Sequence, residues 1–140
     1  DDLPVRAGCF VSLKTRDGSL RGCIGSVEPV EPILAQEVVR NAIHSATRDP
    51  RFLPVAPEEL PHLVYSVDVL SPPEPIEGLH HLDPKRYGVI VQTGTRRGLL
   101  LPDIEGVDTA EHQVAIARSK GLIGPDEPVQ LWRFEVIRLT

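Results

Sequence analysis

Twice along this chain, two short strand-forming runs joined by a tight turn are followed by a helical stretch and a further strand. That order limits the fold more than any other feature, because each hairpin pairs with itself and each helix needs a sheet face to cover. In the first copy, Cys9-Phe10-Val11-Ser12-Leu13-Lys14 reads as a strand and residues 20–26 as its return, with Arg16-Asp17-Gly18-Ser19 between them. Asp-Gly between such runs is a strong hairpin signal. Pro29 and Pro32 break the chain. Over residues 33–47, Leu34, Val38, Ala42 and Ala46 recur at helical spacing with Ala35, Val39 and Ile43 alongside, which predicts an apolar helix face against the sheet. Asp49-Pro50 stops the helix, a proline-rich loop covers 54–61, and residues 63–70 form a strand.

Pro72, Pro73, Pro75 and Gly78 read as a connector inside one domain, after which the order recurs. Residues 88–92 and 98–101 are strands around Thr93-Gly94-Thr95. Asp108 with Glu111 resembles a capping box for a helix over 110–120, Gly121 ends that helix, and 129–139 is one long strand. The expectation is a single α+β domain spanning 1–140: a mixed, mainly antiparallel, continuous sheet with helices on one face, built from two strand-strand-helix-strand units.

With 140 residues the chain can bury a core without disulfides or metals, and with only three Phe, two Tyr and one Trp that core must be mostly Val, Leu, Ile and Ala. A net charge of −5 argues against nucleic acid, which needs a clustered basic surface; the one dense basic pair, Arg96-Arg97, sits between Gly94 and Gly98, where a turn is expected. No apolar run approaches the roughly 20 residues that span a bilayer, and no signal peptide is visible. Two cysteines are too few for a disulfide scaffold, so the expected compartment is a reducing cytoplasm. The chain starts at Asp1 and has no methionine, which suggests that amino-terminal residues are missing. His80-His81 and His112 match no metal-ligand spacing, and no glycine-rich phosphate loop is found, so neither metal nor cofactor is expected.

A two-residue turn at Asp17-Gly18 sets Arg21 opposite Lys14, Gly22 opposite Leu13, Cys23 opposite Ser12, Ile24 opposite Val11 and Gly25 opposite Phe10. Alternation then puts Cys9, Val11, Leu13 and Ile24 in the core, and Phe10, Ser12, Lys14, Arg21 and Cys23 on the other, more polar face. Cys9 and Cys23 face opposite ways and should not form a disulfide. Nearby cations stabilise a thiolate, and glycine in a strand marks close approach by a ligand or another backbone. Cys23 is therefore a candidate nucleophile, and Lys14, Arg21, Gly22 and Gly25 are candidate binding positions. The competing reading is a buried, inert cysteine beside a glycine bulge. Arg48-Asp49-Pro50-Arg51-Phe52 could return to the hairpin's end, with Asp49 as a structural carboxylate and Arg51 either structural or a contact for an anion.

Leu20-Arg21-Gly22-Cys23-Ile24-Gly25 resembles the signature of the AMMECR-one family. Residues 8–14, Asp49-Pro50-Arg51-Phe52, Glu59-Leu60, Gly98-Leu99-Leu100-Leu101-Pro102 and Lys120-Gly121-Leu122 resemble it in the same order, so the likeness covers nearly the whole chain. Residues 86–91, 101–103 and 106–109, with Gln113, look most like the prokaryotic branch termed AmmeMemoRadiSam system protein A. The resemblance implies two partners, a Memo-like protein and a radical S-adenosylmethionine protein, and no known reaction. It therefore implies an accessory or substrate-binding component with its working surface around residues 21–25; the alternative is an enzyme using Cys23. The chain departs from the family in lacking the helical segment that usually precedes the first strand, and in having Tyr87-Gly88 where many members have His-Gly.

Overall fold

The computed structural model describes residues 3–140. It is α+β, and every strand pairing whose register is resolved is antiparallel. The strands form two four-stranded sheets rather than one continuous sheet. The chain divides into two compact units, residues up to Pro72 with Ile137–Thr140, and Pro73–Val136.

The first unit holds β1 (Cys9–Thr15), β2 (Leu20–Ser26), α1 (Leu34–Thr47) and β3 (Leu63–Leu70). The hairpin turn has three residues: Thr15 pairs with Ser19 through a 2.8 Å backbone bond, with Gly18 at φ +92°. A bulge between Leu13 and Lys14 absorbs the extra residue, which is Arg21. Lys14 therefore lies opposite Leu20, while the expected pairs from Leu13–Gly22 to Phe10–Gly25 stand, continuing to Cys9–Ser26.

The helix face differs from the one expected. Val38, Ala42 and Ala46 do pack on Val11, Leu13 and Leu63. The fully buried line, however, is Glu37, Asn41 and Ser45, whereas Val39 and Ile43 are exposed. Each buried polar group is hydrogen-bonded, as burial requires. Glu37 accepts from Ser26 Oγ and from the Val30 and Glu31 amides; Asn41 Nδ2 donates to Cys9 O (3.0 Å); Ser45 Oγ accepts from Ile24 N and donates to Val11 O, both 2.8 Å.

The second unit holds β4 (Glu74–Ile76), β5 (Gly88–Thr93), β6 (Arg96–Leu100), α2 (Ala110–Lys120) and β7 (Gln130–Phe134). Its core is Val89, Val91 and Leu100 under Val114 and Ala117, with Val107 and Ile123. The side chain that caps α2 is Thr109, which accepts from His112 N, in place of the expected Asp108. The proline-rich connector contains β4, which pairs with β7, and the long last strand is two: β7 and β8 (Val136–Leu139). The sheet orders are β2-β1-β3-β8 and β4-β7-β5-β6. Each sheet thus takes its fourth strand from the segment that follows the other unit's third strand.

The two units repeat one construction. Their cores are ordered β2-β1-β3 and β6-β5-β7. In each, the middle of the return strand carries a glycine against the helix: a Cβ on Gly22 would lie 2.2 Å from Ser45 O, and one on Gly98 1.7 Å from Ala117 O. Four residues before those carbonyls, Asn41 donates to Cys9 O and Gln113 to Tyr87 O (2.8 Å). Cys9 and Tyr87 in turn lie four residues before Leu13 and Val91, the partners of the two glycines.

Neither contact leaves room for a methyl group, since the obstacle is helix backbone. Gly22→Ala and Gly98→Ala are each expected to lower unfolding free energy by about 2–3 kcal/mol, the scale of core overpacking. Urea denaturation of the variants checks this; a loss below about 0.5 kcal/mol, the scale of a neutral surface change, would mean the helices are not pinned there.

Candidate functional site

The candidate site lies on the first sheet's face opposite α1. Strand register places Cys23, Ser12 and Ser66 side by side across β2, β1 and β3. All three are half-buried, and Cys23 Sγ lies 3.4 Å from Ser12 Oγ. Phe10 and Asp68 sit in the next row, where the buried Asp68 carboxylate accepts from Arg138 at 2.7 and 3.1 Å. Cys9 faces α1 and is fully buried; both thiols are free. Burial pushes the Cys9 thiol up, partly offset by its hydrogen bond from Asn41.

The segment after α1 returns to this hairpin. Asp49 is buried, and its Oδ2 accepts from the Cys23 amide at 3.0 Å. The same carboxylate grips Arg51 in a two-point pair, Nε to Oδ1 at 3.0 Å and Nη2 to Oδ2 at 2.8 Å, and accepts the Arg51 amide. The Arg51 guanidinium, and after it the amides of Cys23 and Arg51, hold the Asp49 carboxyl well below the usual carboxylate range despite its burial. Arg51 is 54% exposed, its Nη2 reaches Cys23 O at 3.4 Å, and its Nη1 has no hydrogen-bond partner among the described residues. Its guanidinium carbon lies 5.4 Å from the Phe52 ring centre. Arg51 is a fixed cation with one open edge beside the Cys23 backbone.

The other positions named from sequence separate. Arg21, the bulged residue, is engaged at all three guanidinium nitrogens: it bonds both oxygens of Glu59 (2.8 and 3.1 Å) and the carbonyls of Leu53 and Pro54. It clamps residues 53–59 to β2 and offers no free edge. Lys14 is exposed and lies opposite Leu20, two pairs along from Cys23. Gly22 belongs to the helix side, where its approach is to Ser45 backbone; a Cβ on Gly25 would meet the Phe10 ring at 2.3 Å. Ser66 was missed, because pairing of β1 with β3 across some fifty residues leaves no local signal. Among the described residues, no cluster of three or more His, Cys, Asp or Glu could hold a metal, and no helix is long and apolar enough to cross a membrane.

The second unit shows what the fold itself needs at these positions. By register, Leu99, Ile90 and Trp132 replace Cys23, Ser12 and Ser66. Counting from Ala117 in place of Ser45, Gly121 replaces Asp49 and Ile123 replaces Arg51. The same scaffold closes with apolar residues and glycine, so the polar set in the first unit is not a requirement of the architecture.

The Asp49–Arg51 pair makes stability pH-dependent. A carboxyl held below its unfolded value contributes stability that is complete above that value, near 3.8, and is lost as pH falls through the lower folded value. Asp49→Asn is expected to cost about 2 kcal/mol at neutral pH, with Arg51's exposure keeping it below a fully buried pair. The gap to the wild type should narrow as pH drops below about 4. Urea titrations at several pH values test this; a gap that stays constant into acid would remove the carboxylate from the account.

Residues 1–139 match the AMMECR1 family. A Thermotoga maritima protein is 59% identical over 134 residues, covering 95% of this chain and 77% of its own length. A Clostridium acetobutylicum protein, CA_C1420, is 48% identical over 134 residues, and the match spans 96% of this chain but 28% of that longer protein. The fold is that of the crystal structure of the uncharacterized protein PH0010 from Pyrococcus horikoshii, with a TM-score of 0.87 and 37% identity over 95% of this chain and 72% of that one. Extent and identity together make this chain a member of the AMMECR1 family.

Proposed function

We propose that the chain is an accessory or substrate-binding component of the AmmeMemoRadiSam type, acting with a Memo-like protein and a radical S-adenosylmethionine protein. Its working surface is the face around residues 21–25, where Arg51 receives an anionic group beside Cys23. The supporting observation is the open guanidinium edge of Arg51, oriented by the buried Asp49, at positions where the second unit carries only Ile123 and Gly121. An oriented guanidinium suits a carboxylate or phosphate, which here would accept from Nη1, since Nε and Nη2 are held by Asp49. In this reading residues 1–140 act as one domain in the cytoplasm, where a free thiol persists.

A second reading, an enzyme with Cys23 as nucleophile, draws on the half-buried thiol and its contact with Ser12 Oγ. In the native protein Cys23 is expected to react with a thiol reagent while Cys9, sealed behind α1, reacts only on unfolding. Mass analysis of the modified peptide distinguishes them; two silent thiols would remove the nucleophile reading.

The accessory reading is tested by titration calorimetry against a Memo-like and a radical S-adenosylmethionine protein from the same genome. Binding is expected, weakened at least tenfold by Arg51→Gln and little changed by Cys23→Ser. Absence of heat with either partner at tens of micromolar would sink it. A Cys23→Ser variant that binds normally, but no longer forms a covalent adduct made by the wild type, would favour the enzyme.

A further inference from the structure

The second unit contains a cleft of about 600 Å³ that the preceding argument does not use. One side is α2, through Val114, Ala115, Arg118 and Ser119; the other includes Leu79, Ile123 and Leu131. The volume lies in the range of small-molecule sites, and the lining is mainly apolar with few polar groups, as such sites usually are. The room arises because Ala115 and Ser119, one turn apart on the same helix face, are small.

Its cation is unusual. Arg118 is half-buried, and its Nη1 donates to the carbonyls of Gly124 (2.6 Å) and Glu127 (3.0 Å). Those bonds fix the guanidinium plane. Its Nε and Nη2 have no hydrogen-bond partner among the described residues, and no carboxylate there forms an ion pair with it. Counting from Ala117 in place of Ser45, the first unit has Ala46 at this position, packed into its core. The helix-on-sheet construction is therefore satisfied by a methyl group there, and the guanidinium is an addition.

We propose that this cleft binds a small molecule with an apolar chain and a terminal carboxylate, the chain lying along Leu79, Ile123 and Leu131 and the carboxylate on the free edge of Arg118. Glu111, the other charged lining group, is exposed and stands seven residues, about 10 Å of helix, from Arg118. That separation keeps Glu111 away from the bound carboxylate, and the Glu127 carboxylate, which feels the Arg118 charge, is already paired with Arg96 and the Gly124 amide.

Sodium octanoate is the probe, with octan-1-ol and octylamine as controls of equal chain length. Titration into the isotope-labelled chain is followed by amide chemical shifts. Octanoate is expected to shift Gly78, Leu79, Ala115 and Ser119, and to bind at least tenfold tighter than the alcohol or the amine. Ala115→Leu fills the cleft from an exposed helix position; it should keep the wild-type melting temperature and lose octanoate binding. Arg118→Met should bring octanoate down to the alcohol's affinity. Failure of octanoate to bind at low millimolar, shifts located elsewhere, equal or tighter binding of the alcohol or amine, or unchanged binding by a folded Ala115→Leu variant would each overturn the proposal. None of these outcomes bears on Arg51 or Cys23, so this inference and the proposed function fail separately.

Discussion

Everything in this fold hangs on how closely a helix is pressed to a hairpin. Gly22 and Gly98 remove the side chain that would hold helix and strand apart, leaving strand backbone against the carbonyls of Ser45 and Ala117. At the point of contact there is no space for a side chain, nor for water to serve the strand's polar groups. Those groups still need partners, because an unsatisfied buried amide or carbonyl costs about 1–3 kcal/mol. The helix provides them from its own side chains. Asn41 and Gln113 reach the same carbonyl in the two units, and in the first unit Glu37 and Ser45 extend the line.

That requirement explains what could be read from sequence and what could not. Hairpins and helices were legible because Asp17-Gly18, the prolines and the apolar periodicity are local signals; β2, β3 and α2 fall where the pattern sets them. The buried face of α1 was not. Hydrophobic periodicity selects Val38, Ala42 and Ala46, which do pack, but it cannot announce that Glu37, Asn41 and Ser45 lie deeper still. β4, with prolines around it, pairs only because β7 offers an edge, and the single long strand expected at the end divides between two sheets. The one-residue error at the turn was contained by the bulge at Arg21, so the faces of Cys9 and Cys23 were assigned correctly by a register wrong at its outer end.

For the candidate site, residue types were more legible than roles. Arg21 and Arg51 look alike in sequence, each near a glycine or proline and an acidic residue. Contacts separate them: Arg21 is exhausted by Glu59 and two carbonyls, while Arg51 spends Nε and Nη2 on Asp49 and keeps Nη1. Gly22, which in sequence marks close approach by a ligand or another backbone, meets helix backbone. Ser66 could be named only once β1 was known to pair with β3.

Asp49 joins the scaffold to the site. It follows α1 by one turn after Ser45, so it extends the helix's polar line, and it accepts the Cys23 amide next to the glycine contact. In the second unit Gly121 takes this place, and its Cα approaches so near Gly98 N that a Cβ would lie 2.7 Å away. One unit thus fills the gap with backbone and the other with a carboxylate. A buried carboxylate needs a cation or several donors to remain ionised. Arg51 meets that need from the solvent side and is thereby held in a single orientation. The guanidinium edge that points outward is in this sense a consequence of the helix contact beneath it: changing the packing at residues 22 and 45 would move Asp49, and Arg51 would move with it.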